Sequence, residues 1–158
     1  MRTSLTFYAV RNDERVPTEV AAVEDVVAGL VEQIRWCLQS AQYSVGAPAS
    51  NDAEPAEALQ VLDATAVLEL SPDGHYWARY DQNTTEGWTD EGRSALDIWS
   101  AAMGESASHE FMLESGDFLI FDNYRVLHRR RAFTPGPIPG RRGTAGSANG
   151  NTVSISPR

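Results

Sequence analysis

The stretch from Glu110 to Phe133, EFMLESGDFLIFDNYRVLHRRRAF, decides how this chain reads. An apolar segment, Phe111 to Leu113, precedes Gly116, and a second, Phe118 to Phe121, follows it and stops at Asp122 and Asn123. Apolar runs of this length bounded by turn residues predict two strands around a turn. Past the Asp-Asn pair, His128 falls where a further strand would present it, and Arg129, Arg130 and Arg131 follow directly. A histidine fixed on a strand is a candidate metal ligand. Asp122 and Asn123 are expected to shape the turn through side-chain to backbone hydrogen bonds. The arginines read either as contacts to a carboxylate or as a solvated run, with the solvated run preferred.

Working outward, the chain has 158 residues, of which 42% are hydrophobic and 22% charged. That is the length of one domain and the composition of an ordinary globular protein. No apolar run approaches the roughly 18 residues of a membrane span, and the amino terminus lacks a signal-peptide pattern, so the reading is cytoplasmic with no membrane partner. Cys37 is the single cysteine, which excludes an intrachain disulfide and a cysteine-built zinc site. All 22 acidic residues lie before Tyr124, whereas from Tyr124 onward there are seven arginines and no acid. Such a split suggests an anion site or self-neutralisation. Nucleic acid ranks last as a partner, because the basic end offers Phe133 alone for stacking beyond the strands and the body would repel phosphate.

In chain order, Thr3 to Val10 reads as a strand. Val20, Val23, Val27, Leu30, Ile34 and Leu38 recur at three and four, which predicts one helix over 20–38. Residues 41–58, with Gly46, Pro48, Asn51 and Pro55, read as a long loop. Thr65 to Leu70, the turn Ser71-Pro72-Asp73-Gly74 and His75 to Tyr80 predict a hairpin. Thr89 is the expected cap of a helix that buries Ala95, Ile98, Trp99 and Ala102 and stops at Gly104. After Phe133, the run TPGPIPGRRGTAGSANGN carries three prolines and five glycines and reads as loop and tail. Strands with helices braced outside them make a mixed α+β architecture.

Gly116-Asp117, the strand Phe118 to Phe121, Asp122-Asn123, Arg125, His128 and Phe133 together resemble the C-terminal iron-binding strands of iron(II), 2-oxoglutarate-dependent dioxygenases of the taurine dioxygenase and clavaminate synthase-like (TauD/TfdA-like) branch. The resemblance implies a double-stranded β-helix, or jelly-roll, core with flanking helices, present here in part. Residues 1–142 would be the C-terminal part of that domain and 143–158 a flexible tail. It implies that His128 is the second histidine of an iron triad, and that Arg142, fourteen residues on, clamps the distal carboxylate of 2-oxoglutarate, with Arg141 beside it as the alternative. The implied activity is hydroxylation of a small molecule, an amino acid or related acid.

The same family draws its other two ligands from a His-x-Asp or His-x-Glu pair. None exists in these 158 residues: the other histidines stand in His75-Tyr76-Trp77 and His109-Glu110-Phe111 and read as surface or packing residues. The expectation is therefore an incomplete or inactive portion of an oxygenase. The alternative is a non-catalytic jelly-roll remnant that binds a carboxylate or a protein partner. Exposed sheet edges in a partial barrel predict self-association or poor solubility.

Overall fold

The computed structural model describes residues 4–46, 61–106 and 108–130. Arg131, Phe133, Arg141, Arg142 and the 143–158 tail lie outside the described residues, as do most of the 41–58 loop and Ala107.

Ten strands and three helices are described: β1 Ser4–Tyr8, β2 Thr18–Ala22, α1 Val23–Ala28, α2 Glu32–Leu38, β3 Tyr43–Gly46, β4 Val61–Thr65, β5 Leu68–Leu70, β6 Tyr76–Ala78, β7 Thr85–Gly87, α3 Asp90–Glu105, β8 His109–Phe111, β9 Phe118–Asp122 and β10 Val126–Arg130. All pairings are antiparallel. They form a β1-β9 ribbon, a β10-β2-β8 sheet, a β4-β3-β7 sheet and a β5-β6 hairpin. Mixed helix and antiparallel strand is the architecture expected from the sequence.

The hairpin forms as predicted. Gly74 takes φ +83, which a Cβ would disfavour, while the backbone N–H and the hydroxyl of Ser71 both donate to the His75 carbonyl at 2.8 Å. Thr89 caps α3, its Oγ1 accepting the Gly92 N–H at 2.9 Å. The helix passes through Gly104 and ends at Ser106, whose N–H and hydroxyl both bond the Ala102 carbonyl. Its buried side is Gly92, Ala95 and Trp99, and Ile98 is 43% exposed. Ala95 and Trp99 are buried as the period predicts and Ala102 packs against the core, whereas Ile98 falls outside the buried stripe and Gly92, close to Gln42, joins it.

The predicted helix over 20–38 is three elements. Thr18–Ala22 is a strand because it pairs on both sides, with β10 and with β8. α1 then starts at Val23, and Gly29 and Leu30 close it by donating to the carbonyls of Val26 and Val27. α2 follows after Val31. The apolar period survives the breaks, since Val23, Val27, Leu30 and Leu38 are all buried in one core with Trp99 and Leu127. Val20 alone leaves the stripe and joins the sheet.

Two further segments differ from the sequence reading. The 41–58 stretch begins with β3, and Thr65 to Leu70 is split between β4 and β5, with Val67 anchored by its N–H to the Leu38 carbonyl at 2.9 Å. Ala64 at φ +52 lies where the β3-β4 register shifts. Of the two strands expected around Gly116, β9 forms over the predicted Phe118–Phe121 segment, whereas β8 ends at Phe111, so Met112 and Leu113 are not strand; the two do not pair with each other, β8 pairing with β2 and β9 with β1. Gly116, at φ +97, donates to the Ala9 carbonyl, and Ala9 donates to the Asp117 carbonyl, so the turn extends the β1-β9 ribbon.

Candidate metal-ligand site and its cleft

β10 lies against β2 with Leu127 opposite Ala21, His128 opposite Val20, Arg129 opposite Glu19 and Arg130 opposite Thr18. Successive strand residues face opposite ways. Leu127 enters the main core beside the helices. His128 faces the β1-β9 ribbon, where its ring centroid lies 5.0 Å from that of Phe7 and 5.3 Å from that of Phe121. Those two phenylalanines meet edge-on at 5.3 Å. The turn that feeds β10 is built as the sequence predicts, Asp122 Oδ1 accepting the Tyr124 N–H at 3.0 Å.

The aromatic walls leave His128 8% exposed. Burial disfavours the imidazolium and lowers the pKa from 6.5 to about 4. Nδ1 is buried without a hydrogen-bond partner. A neutral ring with an unengaged nitrogen is the form in which histidine ligates a metal, and such a nitrogen is costly to leave unpaired in a protein interior. His128 therefore fits as one ligand. The remainder of a metal site does not fit: no three of His, Cys, Asp or Glu gather among the described residues.

The depressed pKa has a consequence for stability. In the folded chain His128 resists protonation, so between pH 6.5 and about 4 the unfolded chain binds the proton first. The contribution is complete above 6.5 and is lost as pH falls to about 4, an effect of about 3 kcal/mol. Urea denaturation across that window is expected to show the loss in the wild-type chain and a shallower slope in His128→Phe; equal slopes would contradict it.

The arginines after His128 are not a uniform solvated run. Arg129 Nε donates to Glu19 Oε2, and Glu19 is 1% exposed inside the sheet. Being one residue along the strand, Arg129 turns away from the His128 ring rather than crowding it. Arg130 returns to the histidine's face, where its Nη2 donates to Asn12 Oδ1 at 2.8 Å. Of the other histidines, His75 is exposed and sits 3.3 Å from Glu24 Oε1, while His109 is exposed on β8, across β2 from His128 with Val20 between them.

A cleft of about 440 Å³ opens beside His128, with Phe7, Val10, Asn12, Leu113 and Arg130 among its walls. A smaller one of about 160 Å³ touches Glu19 and Arg129. Sequence reasoning did not single out Glu19 or Asn12. The signal for Glu19 is a lone charge in the alternating segment TEVAA, legible once that segment is taken as a strand; Asn12 carries no such signal.

Comparison with known proteins bears on this geometry. The family model described as taurine catabolism dioxygenase TauD, TfdA family matches residues 69–144, a stretch that includes β9, His128, Arg141 and Arg142. That match and the solved structures below make the chain similar to the TauD/TfdA family over part of its length. Dioxygenase str8 of Strobilurus tenacellus is 52% identical over 42 residues, which is 27% of this chain and 10% of that protein. Among solved structures, an asparagine oxygenase in complex with Fe(II), 2S,3S-3-hydroxyasparagine and succinate superposes with a TM-score of 0.69 at 22% identity, covering 85% of this chain and 41% of that one. The non-heme iron oxygenase OrfP in complex with Fe and alpha-ketoglutaric acid gives 0.60 at 23% identity, covering 82% and 38%. OrfP with Fe and L-Arg gives 0.61 at 24%, covering 85% and 43%. The fold is thus the jelly-roll fold of those solved structures, and the chain spans about two fifths of them.

Proposed function

We propose that this chain is the part of an iron(II)- and 2-oxoglutarate-dependent oxygenase that contributes His128 to the metal and an arginine to 2-oxoglutarate. The observation that carries the proposal is the His128 ring, buried, neutral and with Nδ1 unengaged, held between two phenylalanines in a fold of that class. When bound, iron and 2-oxoglutarate would allow dioxygen to serve as the oxidant, one oxygen atom going to succinate as 2-oxoglutarate loses carbon dioxide and the other to the hydroxyl group of a small amino-acid-like or other acid. The chain's own part is to present one neutral imidazole, to wall it from water with Phe7 and Phe121, and to hold a carboxylate.

Arg142 is proposed for that carboxylate because a guanidinium fork matches a carboxylate bidentately, and Arg141 is its alternative. Calorimetric titration of 2-oxoglutarate is expected to show binding weakened at least tenfold by Arg142→Ala, about 1.4 kcal/mol. Unchanged affinity would remove Arg142 from the role.

The proposal includes incompleteness. With no His-x-Asp or His-x-Glu pair in the sequence, these residues supply one ligand of three and are proposed to be inactive alone. A non-catalytic remnant that binds a carboxylate is the second reading, favoured by the arginines beside the cleft. A cytoplasmic setting and the division into 1–142 and 143–158 belong to the same proposal.

Self-association does too. Tyr8, Phe118 and Ile120, on one face of the β1-β9 ribbon, are 57%, 65% and 65% exposed, and such a face favours association. Sedimentation velocity is expected to show species larger than the monomer at micromolar concentration; a monomer throughout would contradict this.

A further inference from the structure

We propose that Tyr124 is a positioning residue for His128, its ring gripped by Trp77 and Arg79 so that the turn it occupies holds two sheets at a fixed separation. This rests on the reading of His128 as a metal ligand and names what keeps its ring in place. The first observation is topological. Asn123 to Arg125 form the turn between β9 and β10. β9 belongs to the β1-β9 ribbon and β10 to the β10-β2-β8 sheet, so this short link joins the strands of Phe7 and Phe121 to the sheet of His128. The imidazole stands against both phenylalanines, 5.0 and 5.3 Å from their rings. A tilt of the turn therefore changes the gap that the imidazole fills.

The second observation is how the turn is fixed. Its backbone is tied to elements outside both sheets: the Tyr124 carbonyl accepts the Ala78 N–H at 2.9 Å, and the Arg125 carbonyl accepts the Val23 N–H at 2.9 Å. The Tyr124 ring adds a side-chain hold. It stacks on Trp77 with centroids 5.7 Å apart and planes at 29°, and the Arg79 guanidinium carbon lies 5.7 Å from the centre of the same ring. Arg79 is held in turn by an ion pair with Glu69, which stands opposite Trp77 in the β5-β6 hairpin. Stacked rings, and a cation over a ring face, attract beyond the area they bury.

The third observation separates this cluster from the packing of the core. Strand residues alternate in direction: Leu68 and Ala78 enter the main core, whereas Glu69, Trp77 and Arg79 point the other way and, with Tyr124, are half-buried. The outer face of the hairpin thus braces the turn. Both contacts to Tyr124 are made by its ring, so phenylalanine should serve in its place. Loss of the ring leaves the core untouched and lets the turn tilt, which is a local opening and not a global one.

The test is carbethoxylation of the metal-free chain by diethyl pyrocarbonate near neutral pH, the rate at each histidine being read by peptide mass spectrometry. Exchange of the indole N–H of Trp99, which is 0% exposed, is followed alongside by NMR as the report on global unfolding. His128 is 8% exposed and His109 is exposed, so wild-type His128 is expected to react far more slowly than His109. Tyr124→Leu and Trp77→Leu are each expected to raise the His128 rate, relative to His109, roughly fivefold or more with Trp99 exchange unchanged. Arg79→Met should raise it less, and Tyr124→Phe should match the wild type. Unchanged protection of His128 in any of the first three variants, an equal acceleration at Trp99, or a Tyr124→Phe rate like that of Tyr124→Leu would overturn the proposal. Should Tyr124→Leu melt early, Trp77→Leu and Arg79→Met, which leave the turn's own residues in place, decide. Neither iron nor 2-oxoglutarate takes part, so failure here leaves the Arg142 titration standing, and failure of that titration leaves this result standing.

Discussion

Arg129→Ala is expected to destabilise the chain by about 3–5 kcal/mol, because it removes the partner of a carboxylate buried in a sheet. Glu19 is 1% exposed, on the face of β2 that it shares with Ala21, with Arg129 directly opposite. In water a carboxylate of this kind would be solvated by many molecules; in the sheet the guanidinium stands in for that solvent. Replacing both residues with leucine removes the charge and its need for a partner together, so Glu19→Leu with Arg129→Leu is expected to recover most of the loss. The pair also has a geometric role. A slip of β10 by one residue would separate the charges and carry His128 to the opposite face of the sheet. Urea denaturation of the two single variants and the double variant measures the cycle. Single-variant losses under about 1 kcal/mol, the size usual for exposed pairs, would contradict the assignment.

The elements legible in the sequence are those specified by neighbours in the chain. The hairpin is written in Ser71 to Gly74, and the start of α3 in Thr89, because a turn's φ and a cap's hydrogen bond are settled within four residues. The β10 strand and the histidine on it were legible for a similar reason, with Asp122 and Asn123 marking the turn before it. What was not legible depends on distant partners. Val20 and Val23 keep helical spacing across a junction at which the chain changes from strand to helix, and the deciding contact, β10 pairing with β2, comes from more than 100 residues away. The same is true of β8 and β9, which look like consecutive strands of one hairpin yet pair with β2 and β1.

The site divides along the same line. Position and type marked His128, but its burial comes from Phe7 and Phe121 on other strands. Arg129 and Arg130 are alike in sequence and unlike in structure, because strand alternation sends one to Glu19 and the other to Asn12. A triplet of arginines cannot announce that difference without the strand direction.

The expectation for iron follows from ligand number. Iron(II) stands low in the divalent affinity order, and a facial set of two imidazoles and a carboxylate holds it where single imidazoles do not. Coordination that must displace several waters with one ligand gains little from the preorganised fold. His128 is well prepared for its share: neutral near pH 7 and buried between Phe7 and Phe121. The described residues gather no second and third ligand around it, and the sequence contains no His-x-Asp or His-x-Glu from which they would come. The chain is therefore expected to carry no 2-oxoglutarate turnover by itself, however well it holds a carboxylate.

The most direct test is succinate release by the purified 158-residue chain supplied with iron(II), 2-oxoglutarate, ascorbate and oxygen, with His128→Ala alongside. The two proteins are expected to give the same background. Succinate formed in at least stoichiometric amount by the wild-type chain and abolished in His128→Ala would mean that a complete metal site exists within these residues, and would contradict the account.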